Sequence, residues 1–163
     1  MGPGPEALPQ QTPASQHMLD RLALRRDNPG MIPPLDESGC LPPGVHRATV
    51  DEVEACFGRQ SEVRRVQMES VRWMVELAVR AGAQRIILNG SFVTDIMEPN
   101  DVDCVLLFAP GGRRDRQALK QLRRPLPFLS IALVDRRDFK HLVEDFFAHD
   151  RSGTPKGMIE VLT

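Results

Sequence analysis

The chain has 163 residues, 41% of them hydrophobic and 26% charged, with a formal net charge of -1. That length suits one compact domain and is short for two. The near-zero charge excludes a global field drawing the chain to nucleic acid or membrane, and no stretch reaches the roughly 18 apolar residues of a bilayer span.

Residues 1–30 are rich in Pro, Gln and Gly and lack apolar periodicity, so they are expected to be a disordered tail, with at most a short helical stretch over 17–26. The start of the chain has neither a basic run nor an apolar core and does not read as a secretory signal; a cytoplasmic setting is expected. Residues 31–163 are expected to form a single domain. Its first segment is punctuated by Pro33, Pro34, Pro42 and Pro43, which predicts an ordered arm or loop rather than a helix. Thr49 stands three residues before Glu52, the sequence form of a capping box, and predicts a short helix over 50–56 ended by Gly58.

Ser61 is placed to cap a longer helix reaching residue 81. Its apolar stripe is expected along Val63, Val66, Ser70, Met74, Leu77 and Ala81, widened by Val71, Val75 and Ala78. Gly82 stops it. A buried strand over 85–88 and a second over 102–108 flank a polar turn around Pro99 and suggest an antiparallel hairpin. Gly111-Gly112 breaks the chain before a basic helix over 115–124. A strand over 128–134, an amphipathic helix over 138–149 and a last strand over 158–162 complete the order. The helix is expected to turn Phe139, Leu142, Val143, Phe146 and Phe147 inward. This succession predicts an α+β fold: a small mixed or antiparallel sheet with helices packed against it.

Chemistry concentrates in Asn89-Gly90-Ser91-Phe92-Val93-Thr94-Asp95 and, after a short loop, Asp101-Val102-Asp103. Asp101 and Asp103 are two apart on a predicted strand, so their carboxylates share a face. Carboxylates held that close repel unless a cation lies between them, and hard oxygen ligands of this kind suit magnesium together with phosphate oxygens. Gly90 lets the backbone approach a phosphate without a Cβ in the way, and Ser91 adds a hydroxyl donor. The blander alternatives are a plain turn at Gly90-Ser91 and a polar turn with an exposed edge strand at Asp101 and Asp103. An acid directly before Cys104-Val105-Leu106-Leu107-Phe108 would then be costly in an otherwise buried strand.

The run resembles the signature of the polymerase-β-like nucleotidyltransferase superfamily, a Gly-Ser turn followed on the next strand by Asp-x-Asp. The likeness in the catalytic core covers residues 85–134. The flanking runs Ile32-Pro33-Pro34-Leu35-Asp36, Leu41-Pro42-Pro43-Gly44-Val45-His46 and Pro155-Lys156-Gly157 resemble a bacterial family of small, minimal nucleotidyltransferase-like proteins. The resemblance implies transfer of a nucleoside monophosphate from a triphosphate, with ATP expected, onto an acceptor hydroxyl. It implies Asp101 and Asp103 as catalytic residues and ligands of Mg2+ or Mn2+, and Gly90 and Ser91 as the triphosphate-binding pair. It also makes a partner protein an expected acceptor, as in toxin–antitoxin pairs. Members of the superfamily place a third acid on the following strand, where this chain has Ser130; Asp135, at that strand's end, is open to two readings, a displaced third catalytic carboxylate or a helix cap. The gap leaves a second function in view: a catalytically inactive nucleotide-binding or protein-interaction module of the same fold.

Other residues carry weaker signals. Arg113, Arg114, Arg116, Lys120, Arg123 and Arg124 read as a solvated basic face, and without interleaved aromatics they do not favour nucleic acid. His46, His141 and His149 lack metal spacing and read as structural. Lys156 in the Pro-Lys-Gly run reads as part of a plain β-turn, with reach to a phosphate as the alternative, and Trp73 on the long helix reads as core or an interface anchor. The three cysteines, Cys40, Cys56 and Cys104, are odd in number and widely spaced, so reduced thiols are expected.

Overall fold

The computed structural model describes residues 32–112 and 114–163; the expected tail over 1–30 and the helical stretch over 17–26 lie outside them. In chain order the elements are β1 (Gly44–Ala48), α1 (Val50–Phe57), α2 (Glu62–Ala81), β2 (Arg85–Asn89), a 3-10 turn (Ser91–Val93) and β3 (Val102–Leu107). They continue with α3 (Arg116–Leu122), β4 (Leu129–Val134), α4 (Arg136–Lys140), a π-helical segment (His141–Phe146) and β5 (Gly157–Val161). The fold is α+β, as the sequence order predicts.

The five strands form one mixed sheet in the order β1-β5-β2-β3-β4. β2 and β3 make the expected antiparallel hairpin, with Asn89 opposite Asp103 and Arg85 opposite Leu107. β5 runs antiparallel to β2, whereas β1 joins β5 and β4 joins β3 in parallel. β1 corrects the expectation of a strandless arm: Pro42 and Pro43 stop just before it, and its backbone pairs with β5 at the other end of the chain. An edge position tolerates neighbouring prolines because only one side of the strand is hydrogen-bonded.

Strand residues alternate between two faces. On the first, Ile86, Leu88, Val102, Cys104, Leu106, Ile159 and Val161 join the buried residues of α1, α2 and α3 in the larger core. On the second, Ile87, Val105, Leu107 and Met158 pack with Phe139 and Val143. Arg85 closes the far end of this second face, donating from Nε and Nη2 to Glu160 at 2.7 and 2.9 Å while its guanidinium lies 4.8 Å from the Phe139 ring centroid. The opposite end, where β2 finishes and β3, β4 and β5 begin, carries Asn89 and Asp103.

Local signals set the helix ends. Thr49 and Glu52 form the reciprocal capping box, Ser61 caps α2, and Gly82 ends it in the left-handed region at φ 84. Two expectations about buried faces fail. In the first half of α2, Arg64, Gln67 and Met68 are buried, while Val63, Val66 and Ser70 are only half-buried. This part of the helix lies under loop backbone, whose carbonyls need donors. Phe146 is 66% exposed rather than inward, because the chain widens to i→i+5 bonding there (Phe147 N donates to Leu142 O at 2.7 Å) and the helical phase shifts. Trp73 is also exposed, on the outer side of α2.

Candidate functional site

β2 ends at Asn89, and Gly90 turns the chain at φ 80 and ψ -164, a region open essentially to glycine alone. The turn places Ser91 at the head of the 3-10 turn, while Phe92 and Val93 drop into the larger core. After residues 90–101 the chain returns as β3, beginning at Val102. Antiparallel pairing sets Asp103 opposite Asn89, so both side chains rise from the second face. Asp101, just before β3, stands close enough for its charge to act on Asp103. The Asp103 carboxylate lies over Gly90: an ideal Cβ there would overlap Oδ2 and stand 3.1 Å from Cγ. The fold thus brings together the Gly-Ser turn and the Asp-x-Asp pair.

The loop from Ser91 to Pro99 is held from beneath by α2. Ser61 Oγ donates to Met97 O at 2.7 Å and Gln67 Nε2 to Pro99 O at 2.6 Å. Between them Arg64, 1% exposed, donates to the carbonyls of Phe57 (3.0 Å), Phe92 (2.7 Å), Thr94 (2.8 Å) and Ile96 (3.0 Å from Nε), with a longer contact to Ser91 O at 3.4 Å. Its guanidinium also sits 5.5 Å from the Phe92 ring centroid. Burial pushes the Arg64 pKa down, and nearby Asp95 partly offsets this. A second brace comes from the arm before β1, where Asp95 N donates to Gly39 O at 3.0 Å. Sequence reasoning missed Ser61, Arg64 and Gln67 as supports of the site. The available signal was two polar side chains at the buried phase of an amphipathic helix.

Electrostatics single out Asp103. Burial raises its pKa above the ordinary carboxylate value, the Asp101 charge adds to that, and Lys156 and Arg151 pull the other way. Lys156 immediately precedes β5 and, two residues before Met158, falls on the second face. Its backbone N donates to Ala148 O at 2.9 Å, tying the incoming loop down, and Asp150 Oδ1 tightens that loop by accepting from Ser152 N and Thr154 N at 2.8 and 2.9 Å. Lys156 and Arg151 therefore bring positive charge to the end of the sheet that carries both carboxylates. Asn89, 1% exposed, has neither Oδ1 nor Nδ2 hydrogen-bonded within the described structure.

Asp135 does not belong to this site. β4 places Ser130, not Asp135, beside Asp103. Asp135 lies five positions further on, about 16 Å away at the usual strand rise, and its Oδ1 accepts from Arg137 N and Asp138 N at 2.9 and 3.0 Å as the cap of α4. Of the two readings of Asp135, the structure shows the cap. Among the described residues no group of three or more His, Cys, Asp or Glu is arranged to hold a metal ion. The acidic part of the site is Asp101 with Asp103.

The remaining candidates make local contacts or lie exposed. His46 Nε2 lies 2.7 Å from Pro42 O, His141 pairs with Asp145 at 3.0 Å, and His149 Nδ1 lies 3.3 Å from Asp145 O. Arg114 stacks 5.3 Å from the Phe108 ring centroid, while Arg116, Lys120, Arg123 and Arg124 are exposed on and after α3; Arg113 lies outside the described residues. No described helix is long and apolar enough to cross a membrane.

Comparison with curated proteins and with solved structures finds no match. The profile of one family, described as "Family of unknown function (DUF6932)", matches residues 33–162, a span that contains every element described above, and the chain therefore belongs to that family.

Proposed function

We propose that this end of the sheet binds a nucleoside triphosphate, ATP in the first instance, with a magnesium or manganese ion. The chain then moves the nucleoside monophosphate onto an acceptor hydroxyl on another molecule, a partner protein being the leading candidate. The acceptor oxygen bonds to the α-phosphorus, the bond to the β-phosphate breaks, and pyrophosphate and the hydroxyl's proton leave. The observation that carries this reading is the Asp103 carboxylate packed over the bare Cα of Gly90, with Ser91 next in the chain. A purely structural turn has no need for a half-buried acid there, held beside Asp101 against their mutual repulsion.

The donor set fits one hard divalent cation that also takes phosphate oxygens, and it lacks the third carboxylate of a two-metal arrangement. When bound, such an ion offsets charge on the transferring phosphoryl group. Asp101 and Asp103 would hold it. The bare Cα of Gly90 leaves room for the Asp103 carboxylate, and the Ser91 hydroxyl donates to a phosphate oxygen. Lys156 and Arg151 balance the remaining negative charge. The braces from Ser61, Arg64 and Gln67 fix where Ser91 stands relative to Asp103. ATP and magnesium are plentiful in the cytoplasm, and the free thiols Cys40, Cys56 and Cys104 agree with that setting.

A second reading is a nucleotide-binding or interaction module without turnover. It is favoured by Ser130, which occupies the β4 position beside Asp103 and has no carboxylate to take an acceptor's proton. Incubation with ATP labelled at the α-phosphate, magnesium and the product of the neighbouring gene separates the two. Transfer predicts a labelled acceptor with the wild type and none with Asp101→Ala/Asp103→Ala. Equal labelling by both sinks the proposed site. Binding of an ATP analogue with manganese, but no labelling, selects the second reading.

A further inference from the structure

The side chain of Asn89 has no partner, and three observations bear on its use. Asn89 is 1% exposed, yet neither its amide oxygen nor its amide nitrogen makes a hydrogen bond within the described structure. Buried amides are almost always paired, so an unpaired one marks a place where another atom belongs. Next, Asn89 stands directly across β2–β3 from Asp103, at the end of the sheet that carries both carboxylates. Last, the Asp103 carboxylate leans over Gly90, toward the end of β2, and so away from Ser130 on β4.

We infer that Asn89 is the third protein ligand of this site, its Oδ1 completing with Asp101 and Asp103 a hard-oxygen set for one magnesium or manganese ion. The inference rests on the metal–triphosphate reading above. Side-chain carbonyls are ordinary ligands for such cations, and a neutral third ligand adds no further repulsion to two carboxylates already crowded together. The centre of the site then lies between β2 and β3, with Lys156 and Arg151 beyond it on the β5 side. Ser130, on the other flank of Asp103, is not needed.

The test is manganese binding by the full chain with a non-hydrolysable ATP analogue, read from the free-manganese electron paramagnetic resonance signal. Thermal melting without metal monitors the fold. Asn89→Leu keeps the volume and removes the oxygen, and its manganese affinity is expected to fall at least tenfold while the metal-free protein melts no lower than wild type. Asn89→Asp is expected to bind manganese as tightly as wild type or more tightly. Wild-type affinity in a folded Asn89→Leu overturns the inference alone. Should that variant not fold, weaker binding by Asn89→Asp overturns it instead. Absence of manganese binding by the wild type overturns the metal–triphosphate reading and this inference with it.

Discussion

Asp103 Oδ2 occupies the space into which a Cβ on Gly90 would project, so the two positions are sterically coupled across the end of β2. Gly90→Ala meets two obstacles at once: a backbone conformation at φ 80 and ψ -164, and the carboxylate itself. Backbone strain of this kind costs about 1–3 kcal/mol. The variant is expected to lose that much stability in urea melts and, by displacing Asp103, to lose manganese affinity. A variant that binds manganese like wild type would show that Asp103 is not where the cation sits.

Arg64→Met should be among the more destabilising single changes in this chain. It leaves the carbonyls of Phe57, Phe92 and Thr94 without their shared donor in a buried position. Hydrogen bonds from a charged group contribute about 1.5–3 kcal/mol each, so a loss of about 3 kcal/mol or more is expected from chemical unfolding. Arg64→Lys should recover little of it, because one ammonium cannot reproduce the planar fork.

Stability should fall with rising pH through Asp103. Burial first, and then the Asp101 charge, raise its pKa above the ordinary 3.8. Between that value and the raised one the folded chain binds more protons than the unfolded chain, so unfolding becomes easier as pH rises through the window. Lys156 and Arg151 oppose the shift without reversing it. Urea midpoints of the wild type and Asp103→Asn, measured from pH 4 to pH 7 without divalent cations, check this. The wild type should lose stability relative to the variant over that range, and a relative gain would contradict it.

Asp135→Ala separates a cap from a ligand. Removing the acceptor for Arg137 N and Asp138 N should cost about 1 kcal/mol, the ordinary loss for an N-cap. Manganese binding and any nucleotide transfer should remain at the wild-type level. A selective loss of manganese affinity would return Asp135 to the site.

Much of this architecture is written in short-range spacing. The Thr49–Glu52 box, the Ser61 cap and the Gly82 stop act within a turn of the residues they govern, so they are readable from neighbours alone. The meeting of Gly90 and Asp103 was legible too, because an antiparallel pair leaves few registers that bury both of its apolar strands. What escaped depends on distant parts of the chain. β1 has an unremarkable local sequence and becomes a strand only by pairing with β5. Arg64 and Gln67 interrupt an apolar stripe for reasons visible only once the loop up to Pro99 lies across them. Ser130 was already legible at the place beside Asp103, whereas spacing left Asp135 two readings, and its bonds to the start of α4 appear only in the structure. Phe146 fits a regular 3.6-residue helix, and the widened turn at the end of that helix carries it to the surface.

The cradle that Arg64 forms for the loop carbonyls has a kinetic and entropic consequence. Under the proposed function this loop, held by its own scaffold, does not have to be ordered by a nucleotide, so association loses little conformational freedom. Capture of a nucleotide should then resemble docking onto a rigid surface, with a single-phase approach and no slow rearrangement. Loosening the cradle should change this into a two-step process, in which the loop settles only after the ligand has arrived.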